Sequence, residues 1–357
     1  MKKNILIIAE AGVNHNGSLN KAKELIDIAE EAGADMVKFQ TGDPKNVISH
    51  HAPKAEYQNK TTGSEESQLE MVKKIALKDE DFFILKEYCQ NKNVTFLSTP
   101  FDLNSVDLLA KKMNLPLLKL SSGEITNAPL LYRAAQSGKK IILSTGMSTL
   151  GEVETALGIL SLGYLFPKMD PSITKSKEVF CSEEGQNILQ EKVILLHCTT
   201  EYPAPYKSVN LKMMDTLKNA FDLPVGLSDH TLGIAISIAA AARGAIVIEK
   251  HFTISRNMAG PDHKASLEPS ELKELVKSIR AVEDSLGERV KIPAISEKKN
   301  IPIARRSIIT AKKIKKGEKF TPQNLTTKRP ATGKTPLQYW EWIGRISTSN
   351  YDEDELL

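Results

Sequence analysis

The sequence predicts an eight-stranded βα barrel, the (β/α)8 or TIM-barrel fold of the α/β class, over its first four-fifths, followed by a small C-terminal domain. Short apolar runs bounded by turn residues recur at 5–13, 36–41, 95–101, 117–124, 141–147, 193–200, 225–231 and 246–253, with helix-period segments between them, which is the pattern of βα units around a parallel sheet. Eight runs within about 250 residues match the barrel, whereas open doubly wound sheets more often have about five or six strands. At 357 residues the chain also exceeds what one hydrophobic core usually serves, so a second, smaller domain is expected.

The chain opens on Met1-Lys2-Lys3-Asn4, a start resembling a signal peptide, but it turns polar at Glu10 before a full apolar core forms, so 5–13 reads as a first strand. In the helix that follows, Ser18 caps the N-terminus, Leu25, Ile28, Ala29 and Ala32 form the inward stripe, and Gly33 supplies the left-handed stop. The stretch 163–192 is long, polar and broken by Pro167 and Pro171, and reads as a peripheral insertion between the fifth helix and the sixth strand. The eighth helix ends near Gly287, giving a catalytic domain over 1–287 and a basic linker over 288–302. Over 303–357, the runs 307–310 and 325–329 and the turn at Lys316-Gly317-Glu318 predict short strands in a small domain. So short a segment buries too little to stand comfortably alone, and is expected to pack on a barrel, its own or a partner's.

Composition narrows the function classes. Hydrophobic residues at 41% and charged residues at 26% argue against disorder. No apolar run approaches the roughly 20 residues of a spanning helix, so no membrane role is expected. Cys89, Cys181 and Cys198 show no paired spacing, which suits a reducing cytoplasm and supports neither a disulfide framework nor a zinc knuckle. The formal charge of +4 is concentrated after residue 290, from Lys298 to Lys316, but no aromatic residues interleave to stack on bases. That run reads as a solvated face, and no nucleic-acid partner is expected.

In a βα barrel the chemistry lies at the C-terminal strand ends. There the sequence places Glu10, Lys38 and Gln40, Thr99, Lys119 and Ser121-Ser122-Gly123-Glu124, Ser144-Thr145-Gly146, His197 to Tyr202, Ser228-Asp229-His230, and Glu249-Lys250-His251. Hydroxyls and glycine amides beside two lysines can donate to an oxyanion, so Ser121-Ser122-Gly123, Ser144-Thr145-Gly146, Thr99, Lys38 and Lys119 form a candidate phosphate or carboxylate cradle. Taken singly each is ordinary turn or packing chemistry; together on one rim they point to an anionic substrate. His230 and His251 end adjacent strands and could share a divalent ion with open positions, Mn2+ or a related ion acting as a Lewis acid. His197 and His15 are weaker candidates. Glu10 would be a costly buried charge unless it meets a cation or moves a proton, so it takes an acid/base or water-positioning role. Glu124, Glu249 and Asp262 are candidates for sugar hydroxyls, with structural pairing to Lys250 or Lys264 as the alternative.

The ordered motifs Ile8-Ala9-Glu10-Ala11-Gly12-Val13-Asn14-His15-Asn16-Gly17, Lys38-Phe39-Gln40-Thr41, Ser98-Thr99-Pro100-Phe101, Ser122-Gly123-Glu124, Leu143-Ser144-Thr145-Gly146-Met147, Gly226-Leu227-Ser228-Asp229-His230-Thr231 and Glu249-Lys250-His251-Phe252-Thr253 resemble those of the bacterial sialic acid synthase family. That family condenses phosphoenolpyruvate with a 2-acetamido sugar to give a nonulosonic acid and phosphate. The resemblance spans essentially the whole chain. It implies that Lys38, Thr99, Lys119, Ser122, Ser144 and Ser228 hold phosphoenolpyruvate, that His230 and His251 hold Mn2+ (or Mg2+ or Co2+), and that Glu10, Gln40, Glu124, Tyr202 and Asp262 surround the sugar. The tail with Lys328-Arg329-Pro330 resembles the family's antifreeze-like (SAF) domain, which implies a homodimer with Arg329 reaching the partner's active site. Thr200, the Lys38-Phe39-Gln40-Thr41 sequence, the 66–71 loop and the 260–266 segment resemble the legionaminic acid synthase branch, whose acceptor is a 2,4-diacetamido-2,4,6-trideoxy sugar, and Phe39 suits a less polar pocket for it. N-acetylmannosamine is the alternative acceptor. Rival classes are a Schiff-base aldolase using Lys38 or Lys119 and a carbohydrate-binding barrel without catalysis.

Overall fold

The computed structural model describes residues 5–63 and 66–357, and the chain forms two compact units, Met1–Gly287 and Glu288–Leu357. The Met1-Lys2-Lys3-Asn4 lead-in lies outside the described residues.

The first unit is the expected barrel. Its parallel strands are β1 (Leu6–Gly12), β2 (Met36–Thr41), β3 (Thr95–Pro100), β4 (Leu117–Leu120), β5 (Lys140–Ser144), β6 (Val193–Cys198), β7 (Val225–Asp229) and β8 (Val247–His251). They lie in the order β3-β2-β1-β8-β7-β6-β5-β4, and β3 and β4 stand side by side without a ladder between them. Most strands stop short of the apolar runs that announce them. The residues beyond turn their polar groups to other work: Ser122–Glu124 is a 3-10 turn in which the Ser121 hydroxyl accepts from Gly123 N, and Thr145 N donates to Leu196 O.

Side chains alternate between the two faces of each strand. Ile8, Leu97, Ile142, Leu196 and Val247 meet inside the ring and fill its lower half, while Ile7, Ala9, Val37, Phe39, Leu118 and Leu227 point outward against the helices. Gly226 occupies an inward position where a Cβ would stand 2.4 Å from Val247 O and 2.7 Å from a Leu196 methyl, so only glycine lets β6 and β8 close around it. The first helix, Leu19–Ala32, has the expected ends: the Ser18 hydroxyl accepts from Lys21 N, and Gly33 adopts φ 79°. Its buried stripe also includes Ala22 and Ile26, and Ile28 lies at the edge.

The 163–192 stretch is more ordered than its polarity suggests. Residues up to Leu165 finish the preceding helix, and two capped helices follow, Ile173–Phe180 behind Ser172 and Glu183–Lys192 behind Ser182. Leu189 joins the main core, so the segment is partly a wall of the barrel and not purely peripheral.

In the second unit β9 (Ser307–Thr310) and β10 (Leu325–Lys328) pair antiparallel, with Ile309 opposite Thr326. Ile308, Ile314, Phe320 and Leu325 form a small core, edged by Trp342 and Tyr351, and Gly317 takes φ 92° in its turn. Residues 288–302 group with this unit, and Ala331 N donates to Pro302 O. Among the described residues no helix is long and apolar enough to cross a membrane.

Gly226→Ala should lower stability by about 1–3 kcal/mol, the usual penalty of overpacking a filled core, seen as an earlier midpoint in urea unfolding of the full chain.

Candidate active site

The alternation that fills the lower barrel with hydrocarbon places charge one layer higher. Two positions past Ile8 comes Glu10, two past Met36 comes Lys38, and two past Leu117 comes Lys119; Glu249 follows Val247 in the same way. These four meet at the barrel axis. Lys38 Nζ lies 2.7 Å from Glu10 Oε2 and 3.7 Å from Glu249 Oε2, and Lys119 Nζ lies 3.4 Å from Glu249 Oε1. Lys38 also donates to Thr99 Oγ1 (3.1 Å), Gln40 to Glu10 Oε1 (3.2 Å) and Ser228 to Glu249 Oε1 (2.7 Å). Every member of the charged quartet is buried to within a few per cent, so each charge persists only through its partners.

The quartet divides its protons unequally. Burial, reinforced by Glu249 and opposed by Lys38, raises the Glu10 carboxyl to about 7. Burial also presses on Glu249, but Lys119 and Lys38 outweigh it and hold that carboxyl down to about 2. Burial opposes the charge on Lys38, yet its two carboxylates raise it above the ordinary lysine value; burial leaves Lys119 below it. With Glu10 protonated, the remaining charges sum to one excess positive, a floor suited to an anion.

Around this floor lie donors. Gly146 N donates to Ser122 Oγ at 3.0 Å, and Ser122 Oγ lies 2.9 Å from Cys198 Sγ. Ser144 Oγ and Thr200 Oγ1 are buried without a hydrogen-bond partner, unused capacity of the kind that a bound oxyanion takes up. Cys198 and Thr200 are additions to the expected cradle. Cys198 was legible in principle, two positions past the inward Leu196, but nothing in the sequence brings it against Ser122.

His230 and His251 face inward from β7 and β8 with ring centroids 5.6 Å apart. His230 Nδ1 stands 2.7 Å from Thr199 O, an arrangement in which Nδ1–H donates to the carbonyl and Nε2 keeps its lone pair, 3.3 Å from Ser228 Oγ. His251 Nδ1 is buried without a hydrogen-bond partner, and Asp262 Oδ2 lies 3.9 Å from it. Burial lowers His230 to about 4 and His251 well below the usual imidazole value, so both are neutral at pH 7 and can ligate. Burial also raises Asp262 to about 6. Among the described residues no three His, Cys, Asp or Glu side chains gather closely enough to hold an ion by themselves. The residues present fit an open site in which two imidazoles, one already held through its second nitrogen, leave the remaining positions to water and substrate oxygens.

Other candidates separate by where their strands point them. Tyr202 packs against His230 with ring centroids 4.2 Å apart and the planes tilted by 33°, and stands edge-on to His251. Glu124, held by Asn127 Nδ2 at 2.7 Å, and Gln40 line a cavity of about 350 Å3 with His15, Gln58 and Gln68. A second cavity of about 740 Å3 opens over β5 and β6 beside Thr145, Cys198 and Thr200. Glu249 sits in the floor, its Oε1 accepting from Ser228 Oγ and lying near Lys119, its Oε2 3.7 Å from Lys38 and without a hydrogen-bond partner. His197 Nε2 is bonded to Val209 O, and His15 Nδ1 accepts from Gly17 N. Contrary to expectation, Phe39 does not face the sugar pocket: it points outward, fully buried, and stacks on Phe96 at 5.7 Å, so it bears on the site only through packing behind β2. Arg329 is exposed in the second unit.

A (β/α)8 barrel with an anion-binding floor, a histidine pair above it and a small β-rich C-terminal unit defines a class of barrel enzymes acting on acidic, oxygen-rich small molecules. The chain belongs to the NeuB family, whose model matches residues 25–291, and a SAF domain matches residues 305–357. It is 53% identical over 355 residues to the N,N'-diacetyllegionaminic acid synthase of Campylobacter jejuni, covering 99% of each chain. It is 42% identical to the synthase of that name from Legionella pneumophila, covering 96% of this chain and 90% of that one. Among solved structures it resembles the N-acetylneuraminic acid synthetase of Leptospira borgpetersenii in complex with citrate, with TM-score 0.66 and 35% identity, covering 84% of this chain and 90% of that one.

Lys38→Met should destabilise the fold by about 3–5 kcal/mol, because Glu10 and Glu249 then lie buried without their shared cation. A carboxyl raised in the folded state contributes stability that is full at low pH and lost as pH rises, so the loss should be larger at pH 8 than at pH 5. Adding Glu10→Gln should recover part of it; urea unfolding of chelator-treated protein at both pH values checks this.

Proposed function

We propose that this chain condenses phosphoenolpyruvate with 2,4-diacetamido-2,4,6-trideoxymannose and water, giving N,N'-diacetyllegionaminic acid and phosphate. The observation that carries this is the identity of 53% over nearly the whole length with a synthase of that name, above the 35% shared with the N-acetylneuraminic acid synthetase. N-acetylmannosamine remains the alternative acceptor to be compared.

In this reading Lys38, Lys119, Thr99, Ser122, Ser144 and Ser228 hold the carboxylate and phosphate of phosphoenolpyruvate, and the unpartnered Ser144 hydroxyl finds its acceptor there. Gln40, Glu124, Tyr202 and Asp262 surround the opened sugar. His230 and His251 would hold a divalent ion, Mn2+ or a similar one, which supplies Lewis acidity at the sugar's carbonyl oxygen. The methylene carbon of phosphoenolpyruvate forms the new bond to the aldehyde carbon as the C=O π pair moves onto oxygen, which takes up the Glu10 proton to become a hydroxyl, leaving positive charge at the enol carbon. Water adds at that carbon. Glu10, with its carboxyl near 7, is poised to position the water and accept its proton. The tetrahedral intermediate then expels phosphate by cleavage of its C–O bond, with the lysines and the Gly146 amide stabilising the negative charge. Both lysines are ion-paired to carboxylates, which favours a cradle over a Schiff-base nucleophile.

The proposal extends to a homodimer in which Arg329 of the SAF domain reaches the neighbouring barrel's site and helps to exclude water, and to a cytoplasmic location. Arg329 is exposed in its own unit, as such a reach requires.

Phosphate release should require both phosphoenolpyruvate and an acceptor, should be faster with the diacetamido sugar than with N-acetylmannosamine, and should cease with chelator and return with Mn2+. Preference for N-acetylmannosamine would move the chain to sialic acid synthesis, and metal-independent release would remove the histidine pair from the chemistry. Glu10→Gln should lower kcat by about 10²–10⁴-fold with a small change in KM, the range for losing a general acid–base group.

A further inference from the structure

Behind the two histidines lies a second buried ion pair that the reaction as described does not use. Asp229 and Lys250 are partners across the β7–β8 ladder and point away from the barrel axis. Their charged groups stand 2.9 Å apart, and both side chains are 1% exposed. A buried ion pair is weak evidence for stability, because an apolar pair of similar volume often packs at least as well. Its partners indicate another role. Asp229 Oδ1 accepts from both the amide and the hydroxyl of Thr231, each at 2.8 Å, and Asp229 Oδ2 accepts from Ser237 Oγ at 2.6 Å. Lys250 Nζ also donates to Thr231 O. His230 is therefore bracketed: the residues before and after it are tied to each other and to one lysine, and that lysine immediately precedes His251. The residues flanking one imidazole are thus bonded to the residue that carries the other into the barrel.

We propose that Asp229 and Lys250 are positioning residues, a clamp across the ends of β7 and β8 that sets the spacing and orientation of His230 and His251 for a divalent cation. The inference rests on the reading of that histidine pair as a metal site. The pair lies on the outer face of the strands, so the clamp acts through backbone held on both sides of His230 and immediately before His251, and never touches substrate. Groups that orient a metal-binding imidazole typically change affinity by about 10–100-fold when removed.

The test is Mn2+ binding by the full chain, followed by electron paramagnetic resonance, together with the visible spectrum of the Co2+-loaded protein. Lys250→Met should weaken Mn2+ binding about 10–100-fold and shift the Co2+ bands, while Lys250→Arg, which retains a cation, should restore most of the affinity. Because Lys250→Met strands a buried carboxylate and could unfold the barrel, Lys250→Met/Asp229→Asn removes both charges together; it should fold with the circular dichroism of wild type and still bind weakly. Wild-type affinity and unchanged Co2+ bands in that double variant would overturn the inference alone. Absence of saturable Mn2+ binding by wild type, or binding that survives His230→Ala/His251→Ala, would overturn the metal reading and the inference with it.

Discussion

Glu249 bridges two lysines in the middle of a closed ring of strands, and much of the site follows from that contact. A lysine or a glutamate alone would be expelled from such a position or would neutralise itself. With Lys119 on one oxygen and Lys38 near the other, Glu249 stays ionised, and its charge keeps Lys38 protonated while pressing Glu10 toward its neutral form. One shared environment thereby sets a charged lysine, an ionised glutamate and a glutamate pushed toward its neutral form side by side, the states on which the proposed anion binding and proton transfer draw. The hydrocarbon layer beneath, from Ile8 to Val247, makes the arrangement sharp by keeping water from below and holding the strands in register.

The same constraint explains why the donors around the floor come from so many strands. A substrate carboxylate and phosphate carry more negative charge than the quartet's surplus can match, so hydroxyls and amides must supply the remainder. Under the proposed function β3 would give Thr99, β5 Ser144, and the turn after β4 Ser122, whose hydroxyl accepts from the Gly146 amide. Thr99 and Ser144 come from the last rungs of their ladders, and Ser122 and Gly146 from turns just beyond. The histidines stand above this layer, neutral because they are buried, and so are free to donate lone pairs while the lysines keep their charge.

Much of this was legible in the sequence because a barrel strand alternates strictly. Once a run is known to be a strand, a polar residue two positions past an inward aliphatic must face the axis, which is how Glu10, Lys38, Lys119 and Glu249 fall together. What escaped depends on pairing between distant strands. The lysine partners that Glu249 takes and the contact of Cys198 with Ser122 are set by which strand lies beside which. The helices within 163–192 escaped for a different reason: polar surfaces and two prolines mask short capped helices whose few buried contacts, Leu189 among them, carry no long periodic signal. In the second unit the strands were foreseen, but nothing local in its sequence tells where Arg329 acts.

The missing ladder between β3 and β4 has its own consequence. Seven backbone ladders and one unladdered seam make the ring a rolled sheet whose two free edges face each other. Edges that would otherwise recruit foreign strands are thereby kept from solution. Across the seam β3 and β4 stand against each other without a ladder of peptide hydrogen bonds. Thr99 and Lys119 sit on opposite lips of that seam, so the charged floor spans the one place in the ring where neighbouring strands share no peptide ladder, whereas the histidine-bearing strands are laddered on both sides.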